Sequence, residues 1–175
     1  MCDRRTFLLT SVAIALGVAE PVASAADTIT YDKLFFIQRS KNANEVHYDA
    51  RVTASGALDA KDPMIGYWIN KAEGGTRSGL TFAERVAYGY DCVEVKDRTG
   101  WRLMLKAFPE RAMWLVKTES GRWRARTVVS GRHAYVTKLF VATDESGTFP
   151  KVLFVDIYGE DVRSGAAVRE HLEKK

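Results

Sequence analysis

Cysteine is scarce. Cys2 and Cys92 are the only two in 175 residues, too few for a disulfide scaffold. Histidine is almost as rare, with three copies; no HxH or HExxH spacing occurs, nor any CxxC, so no metal-ligand signature is present. There is no GxSxG nucleophile turn and no Gly-rich phosphate loop, and no cofactor is expected. Only four prolines occur, with no low-complexity tract or repeat, so nothing marks a linker between domains. Charge of one sign is also lacking: 26 Lys+Arg against 22 Asp+Glu gives net +4, too weak to argue for nucleic acid. What is present is ordinary for a packed globular chain, 46% hydrophobic and 27% charged, which excludes disorder.

The first 25 residues read as an export signal. Arg4 and Arg5 precede an apolar run from Phe7 to Ala19, and Ala23-Ser24-Ala25 supplies small residues for cleavage. The run is shorter than the about 20 residues a membrane helix needs. Arg4-Arg5-Thr6-Phe7-Leu8 resembles a bacterial twin-arginine signal, but Asp3 and Leu9 are unusual flanks, so the general secretory route stays open. Cleavage near Ala25 leaves one β-rich domain, residues 26–175, expected to be periplasmic or secreted, monomeric and not membrane-spanning. Its one remaining thiol, Cys92, cannot close an internal disulfide.

Periodicity two dominates that domain. Leu34 to Gln38 is a nearly continuous apolar run. From Glu45 to Val52, Val46, Tyr48, Ala50 and Val52 share one face, and Glu45, His47, Asp49 and Arg51 the other. Ile65 to Ile69 and six later runs, separated by turns such as Glu119-Ser120-Gly121 and Ser130-Gly131, complete a set of about nine strands. Thr81-Phe82-Ala83-Glu84 fits a capping box, predicting a helix from about Phe82 to Tyr88 that Gly89 ends in the left-handed conformation. A short C-terminal helix is expected over Ala166 to Glu173, with Lys174 and Lys175 at its negative end. The predicted fold is mostly β, an antiparallel barrel or sandwich with these two helices.

Four places could carry chemistry. The loop Arg39-Ser40-Lys41-Asn42-Ala43-Asn44 is dense in hydrogen-bond donors, although Asn also suits a plain hairpin turn. His47 and Asp49, with Glu45, lie on one strand face about 7 Å apart in succession; a solvated face explains them more simply than an imidazole base or a metal site. Cys92 sits in an alternating strand with no cysteine-hydrolase signature, as an inert thiol would. Arg122, Arg124 and Arg126 alternate along one strand. Arg102 and Lys106 would extend this basic stripe if their strands were neighbours, and such a stripe attracts anionic partners.

Phe35 to Asn44, then Tyr48-Asp49-Ala50, then Tyr67-Trp68-Ile69, then Ala87-Tyr88-Gly89, in that order, resemble the bacterial domain of unknown function 4833 family. The resemblance implies a small, often exported bacterial protein and brings no catalytic residue. Its recurrent positions, Arg39, Asn42, Asn44, Tyr48, Asp49, Tyr67, Trp68 and Tyr88, are candidate ligand contacts, or else a structural buckle joining the strands to the helix. The first expectation is a non-enzymatic envelope module that binds a small anionic or lipidic ligand or an envelope component. The alternatives are an envelope hydrolase using His47 and Asp49, and a protein-interaction domain presenting Tyr67 and Trp68.

Overall fold

A computed structural model describes residues 28–95, 100–144, 146–147 and 151–174; the first 25 residues, expected to be an export signal, lie outside the described residues. Eleven strands form one curled half-barrel sheet: β1 Thr30–Arg39, β2 Glu45–Val52, β3 Met64–Asn70, β4 Thr76–Gly79, β5 Tyr90–Val95, β6 Gly100–Leu105, β7 Phe108–Lys117, β8 Trp123–Val129, β9 Arg132–Asp144, β10 Lys151–Asp161 and β11 Ala167–Glu173. Helix α1, Glu84–Tyr88, links β4 to β5. No helix among the described residues is long and apolar enough to cross a membrane.

β9 organises the sheet. Residues 134–144 pair with β10 along one edge. On the opposite edge, residues 132–135 pair with β8 and residues 138–141 with β1. The sheet therefore divides into two arms, β1–β4 and β8–β5, which share a single buried cluster including Phe35, Tyr48, Met64, Leu103, Leu115 and Ile157. Where the arms part, Asp32 bridges them: its carboxylate accepts the Trp123 backbone N–H at 2.8 Å and Arg122 Nε at 3.4 Å.

The apolar face expected of β2 forms, with Val46, Tyr48 and Ala50 entirely buried. The continuous run in β1 is resolved by a register shift between Lys33 and Phe35, which lets the consecutive Leu34 and Phe35 both enter the core.

The structure corrects four expectations. β1 and β9 run parallel, so the sheet is not wholly antiparallel. Residues 167–173 form β11, not a helix: Val168 and Leu172 pack on the core and the strand adds to the edge of β10. Arg111 fixes it with a two-pronged bond to Glu170 at 2.7 and 3.1 Å. β7 lies between β6 and β8, so Arg102 and Lys106 do not neighbour the arginine strand. The capping box forms, with Glu84 accepting Thr81 N–H at 2.8 Å and donating its own N–H to Thr81 Oγ1 at 3.3 Å. Gly89, however, is extended at φ −67°, and glycine is needed there for closeness: a Cβ would lie 2.1 Å from the Arg85 carbonyl oxygen.

Gly89→Ala should therefore destabilise the fold by about 3 kcal/mol. Gly79→Ala, whose Cβ would meet nothing within 4 Å, should stay within about 0.5 kcal/mol of wild type. Urea denaturation midpoints check the contrast, and equal midpoints would refute it.

Candidate functional site

Between the arms lies a cavity of about 290 Å³, at the lower end of the range of about 300–1,000 Å³ for small-molecule sites. Its walls are almost wholly apolar. β1 gives Ile37, α1 gives Ala87 and Tyr88, β6 and β7 give Leu105 and Phe108, β9 gives Leu139 and Val141, and β10 gives Val152 and Val155. Two cations reach this lining, Arg39 and Lys174. Lys174 lies 3.6 Å from Glu110. The Arg39 guanidinium packs over Trp68 and Tyr88, 5.8 and 5.9 Å from their ring centroids, and its Nε is buried without a hydrogen-bond partner.

Trp68, Tyr48 and α1 hold Arg39 in place. Trp68 donates its indole N–H to Glu84 Oε1 at 3.0 Å, so the carboxylate that caps α1 also anchors the ring under Arg39. Burial pushes the Glu84 carboxyl up, but bonds from Thr81 and Trp68 and the field of Arg39 together bring it below its ordinary value. Tyr48 crosses the core and donates to the Tyr88 carbonyl at 2.8 Å. Trp68 meets Tyr88 edge-on, with centroids 5.2 Å apart.

The remaining candidates go elsewhere. Asn42 and Asn44 are turn residues: Asn42 Oδ1 accepts Asn44 N–H at 3.2 Å, and Asn44 Oδ1 accepts Ala72 N–H at 3.3 Å. Asp49 and Tyr67 face the outside of the β1–β4 arm, where the Tyr67 hydroxyl donates to Asp49 at 2.6 Å. On that face the rings of Phe36, His47 and Tyr67 stack across β1, β2 and β3, and Arg77 closes the row 3.6 Å from the Tyr67 centroid.

The expectation of a solvated face fails here. Glu45 and Asp49 are both 5% exposed, covered by the aromatic row and by Lys71, which donates to Glu45 at 2.6 Å. His47 is held by Glu45 at 2.8 Å, not by Asp49, so the expected His47–Asp49 pair does not form. Tyr67 and Trp68 are 6% and 8% exposed, so they present no surface patch.

The arginine stripe is largely spoken for. Arg122 precedes β8 and pairs with Asp32; Arg124 pairs with Glu160 at 2.9 Å and lies over Tyr135. Arg126 stands in register with Trp114 of β7 and Tyr135 of β9. With Lys33 and His47, Arg122 and Arg124 line a shallow polar groove of about 450 Å³ where the two arms part. Sequence reasoning missed the buried Asp156, which accepts Arg169 at 2.7 Å and His171 Nδ1 at 2.8 Å, because a helical reading of 166–173 dissolves that alternation. It also missed the cavity wall, whose residues look like any other core positions.

The model of one protein family, a domain of unknown function (DUF4833), matches residues 35–171. The chain belongs to this family. The match reaches from β1 into β11, well beyond the motifs between Leu34 and Gly89, and spans every cavity-lining residue of this chain except Lys174. No curated protein and no solved structure matches the chain. Membership names no activity, and the chemistry must come from the site.

Two outcomes follow. Burial raises the half-buried Cys92 thiol to about 12, so in a Cys2→Ser background it should react with a thiol reagent at pH 8 at least about a hundredfold more slowly folded than denatured. Comparable rates would show an activated thiol instead. Burial raises the Glu45 carboxyl, but Lys71 and His47 together bring it below its ordinary value of 4.5. The stability Glu45 contributes is thus complete above pH 4.5 and is lost as pH falls through the lowered folded value. In denaturation series the gap between wild type and Glu45→Gln should narrow in that direction; a gap that widens on acidification contradicts the assignment.

Proposed function

We propose that this DUF4833 protein is an exported, non-enzymatic binding module for a small amphiphile with an apolar body and one anionic head group. One observation carries the reading: Arg39, held against the Trp68 and Tyr88 rings and in no ion pair among the described residues, joins the lining of a cavity whose walls are apolar apart from Thr143 and Lys174. An anion seated against its guanidinium gains a charge-assisted hydrogen bond. The lining of Leu139, Val141, Val152 and Val155 takes the apolar body, and Lys174 adds positive charge. The small volume favours a single short chain or a ring pair over a two-chain lipid. The Arg4-Arg5 segment, the apolar run after it and Ala23-Ser24-Ala25 support an envelope location, with residues 26–175 as the working domain.

Arg39 presents the head-group contact, and Trp68, Tyr48 and Glu84 position it. Asp49, Tyr67, Asn42 and Asn44 belong to the scaffold in this reading. The test is fluorescence titration with 8-anilinonaphthalene-1-sulfonate, an apolar ring system with one anion, and its displacement by decanoate. Arg39→Leu should weaken both by about 10- to 100-fold, the worth of a charge-assisted bond, while Arg124→Leu leaves them unchanged. Failure of the wild type to bind the probe, or equal affinity for Arg39→Leu, sinks the proposal. Weakening by Arg124→Leu alone would move the ligand to the outer groove.

A further inference from the structure

The most exposed large apolar side chains among the described residues sit together on the element that walls the cavity. Phe82 is 89% exposed and Val86 70%; the next, Tyr31, is 48%. They are four residues apart across the first turn of α1, where the Arg85 N–H bonds the Thr81 carbonyl at 3.1 Å, so they project from one side. From the same helix the exposed Ala87 and the half-buried Tyr88 line the cavity. Chain flexibility does not account for the exposure. The Thr81–Glu84 capping box, the Glu84–Trp68 bond and the Tyr48–Tyr88 bond fix the turn at three points.

Two exposed cations, Arg85 and Lys106, flank this knob; the nearby Asp62, which lines a groove with them, is paired with Arg51. Glu84 is consumed by Thr81 and Trp68. Arg85 gives its Nε to the Leu80 carbonyl at 3.3 Å, and Lys106 runs past Gly89; both are exposed, and neither is in an ion pair among the described residues. An exposed aromatic and a branched aliphatic residue flanked by Arg and Lys match the interface of a bilayer, where apolar side chains enter the acyl boundary and cations meet anionic head groups. A second copy of this chain would bring the same cations against themselves, so complementarity favours the bilayer.

We infer that α1 and the turn leading into it form a docking element that seats the protein on an anionic bilayer surface through Phe82 and Val86, beside the cavity, so that the amphiphile is exchanged at the membrane. The exchange role rests on the cavity reading above; the docking itself does not. The test is flotation with vesicles of phosphatidylcholine alone and of phosphatidylcholine with phosphatidylglycerol in equal parts, beside the anilinonaphthalenesulfonate titration on the same samples. Wild type should float with the anionic vesicles only. Phe82→Ser/Val86→Ser should lose at least tenfold in apparent vesicle affinity and keep its probe affinity within twofold; both side chains are exposed and do not line the cavity, so the variant folds.

Three results would overturn docking: no flotation of wild type, equal flotation of the variant, or equal flotation with phosphatidylcholine alone. A Phe82-dependent dimer in sedimentation equilibrium would also overturn it, in favour of a second copy. Flotation as expected without probe binding would leave docking standing and remove both the exchange role and the cavity reading.

Discussion

One edge of β9 carries two strands, and the rest of the molecule follows from that sharing. Antiparallel β8 takes residues 132–135 and parallel β1 takes 138–141, so the sheet must part between them. Parting curls the two arms into a half-barrel and brings the inner faces of β1–β3 and β6–β8 to a common core. A regular sheet would have put these strands in one plane with no interior. The same parting would strand backbone donors at the start of β8, and Asp32 takes the Trp123 N–H in place of a neighbouring strand. A single carboxylate thus completes the fork.

The inner and outer faces of the β1–β4 arm use polar groups differently. Outside, Glu45, His47 and Lys71 bond one another and Tyr67 donates to Asp49 beneath the Phe36–His47–Tyr67 row, leaving Asp49 Oδ1 enclosed in the scaffold without a partner. Inside, each polar group but one is spent on α1: Tyr48 on the Tyr88 carbonyl and Trp68 on Glu84. Arg39 is the remainder, held by ring faces that attract its charge but offer its Nε no acceptor. That difference separates a structural network from a binding wall.

Much of the arm around β2 was legible in the chain. The alternation Val46-Tyr48-Ala50-Val52 is local, and all four residues are buried, although the burial of Glu45 and Asp49 on the other face was not legible in it. The Thr81–Glu84 box is likewise a three-residue signal, and it forms. β11 was misread because Ala, Glu, Leu and Lys dominate its neighbourhood, while the deciding contact, Arg111 to Glu170, comes from far away in sequence. β4 was invisible: Thr76-Arg77-Ser78-Gly79 has no apolar face, and only backbone pairing with β3 makes it a strand. The candidate site divided similarly. Arg39 stood out in a donor-rich loop, but its apolar surroundings are drawn from residues 37 to 174, and no local pattern distinguishes a cavity wall from a core.

The parallel pairing of β1 with β9 also sets an order of events for folding. Phe36 finds its partner at Lys138, so the first strand keeps an open inner edge until most of the chain has been made. Closing so long a loop is slow, because its entropy is lost before its contacts are gained. The hairpin of β1 and β2 can form early, yet its apolar face stays uncovered until β9 arrives. A polypeptide built this way can complete its core only once β9 has been made and paired with β1.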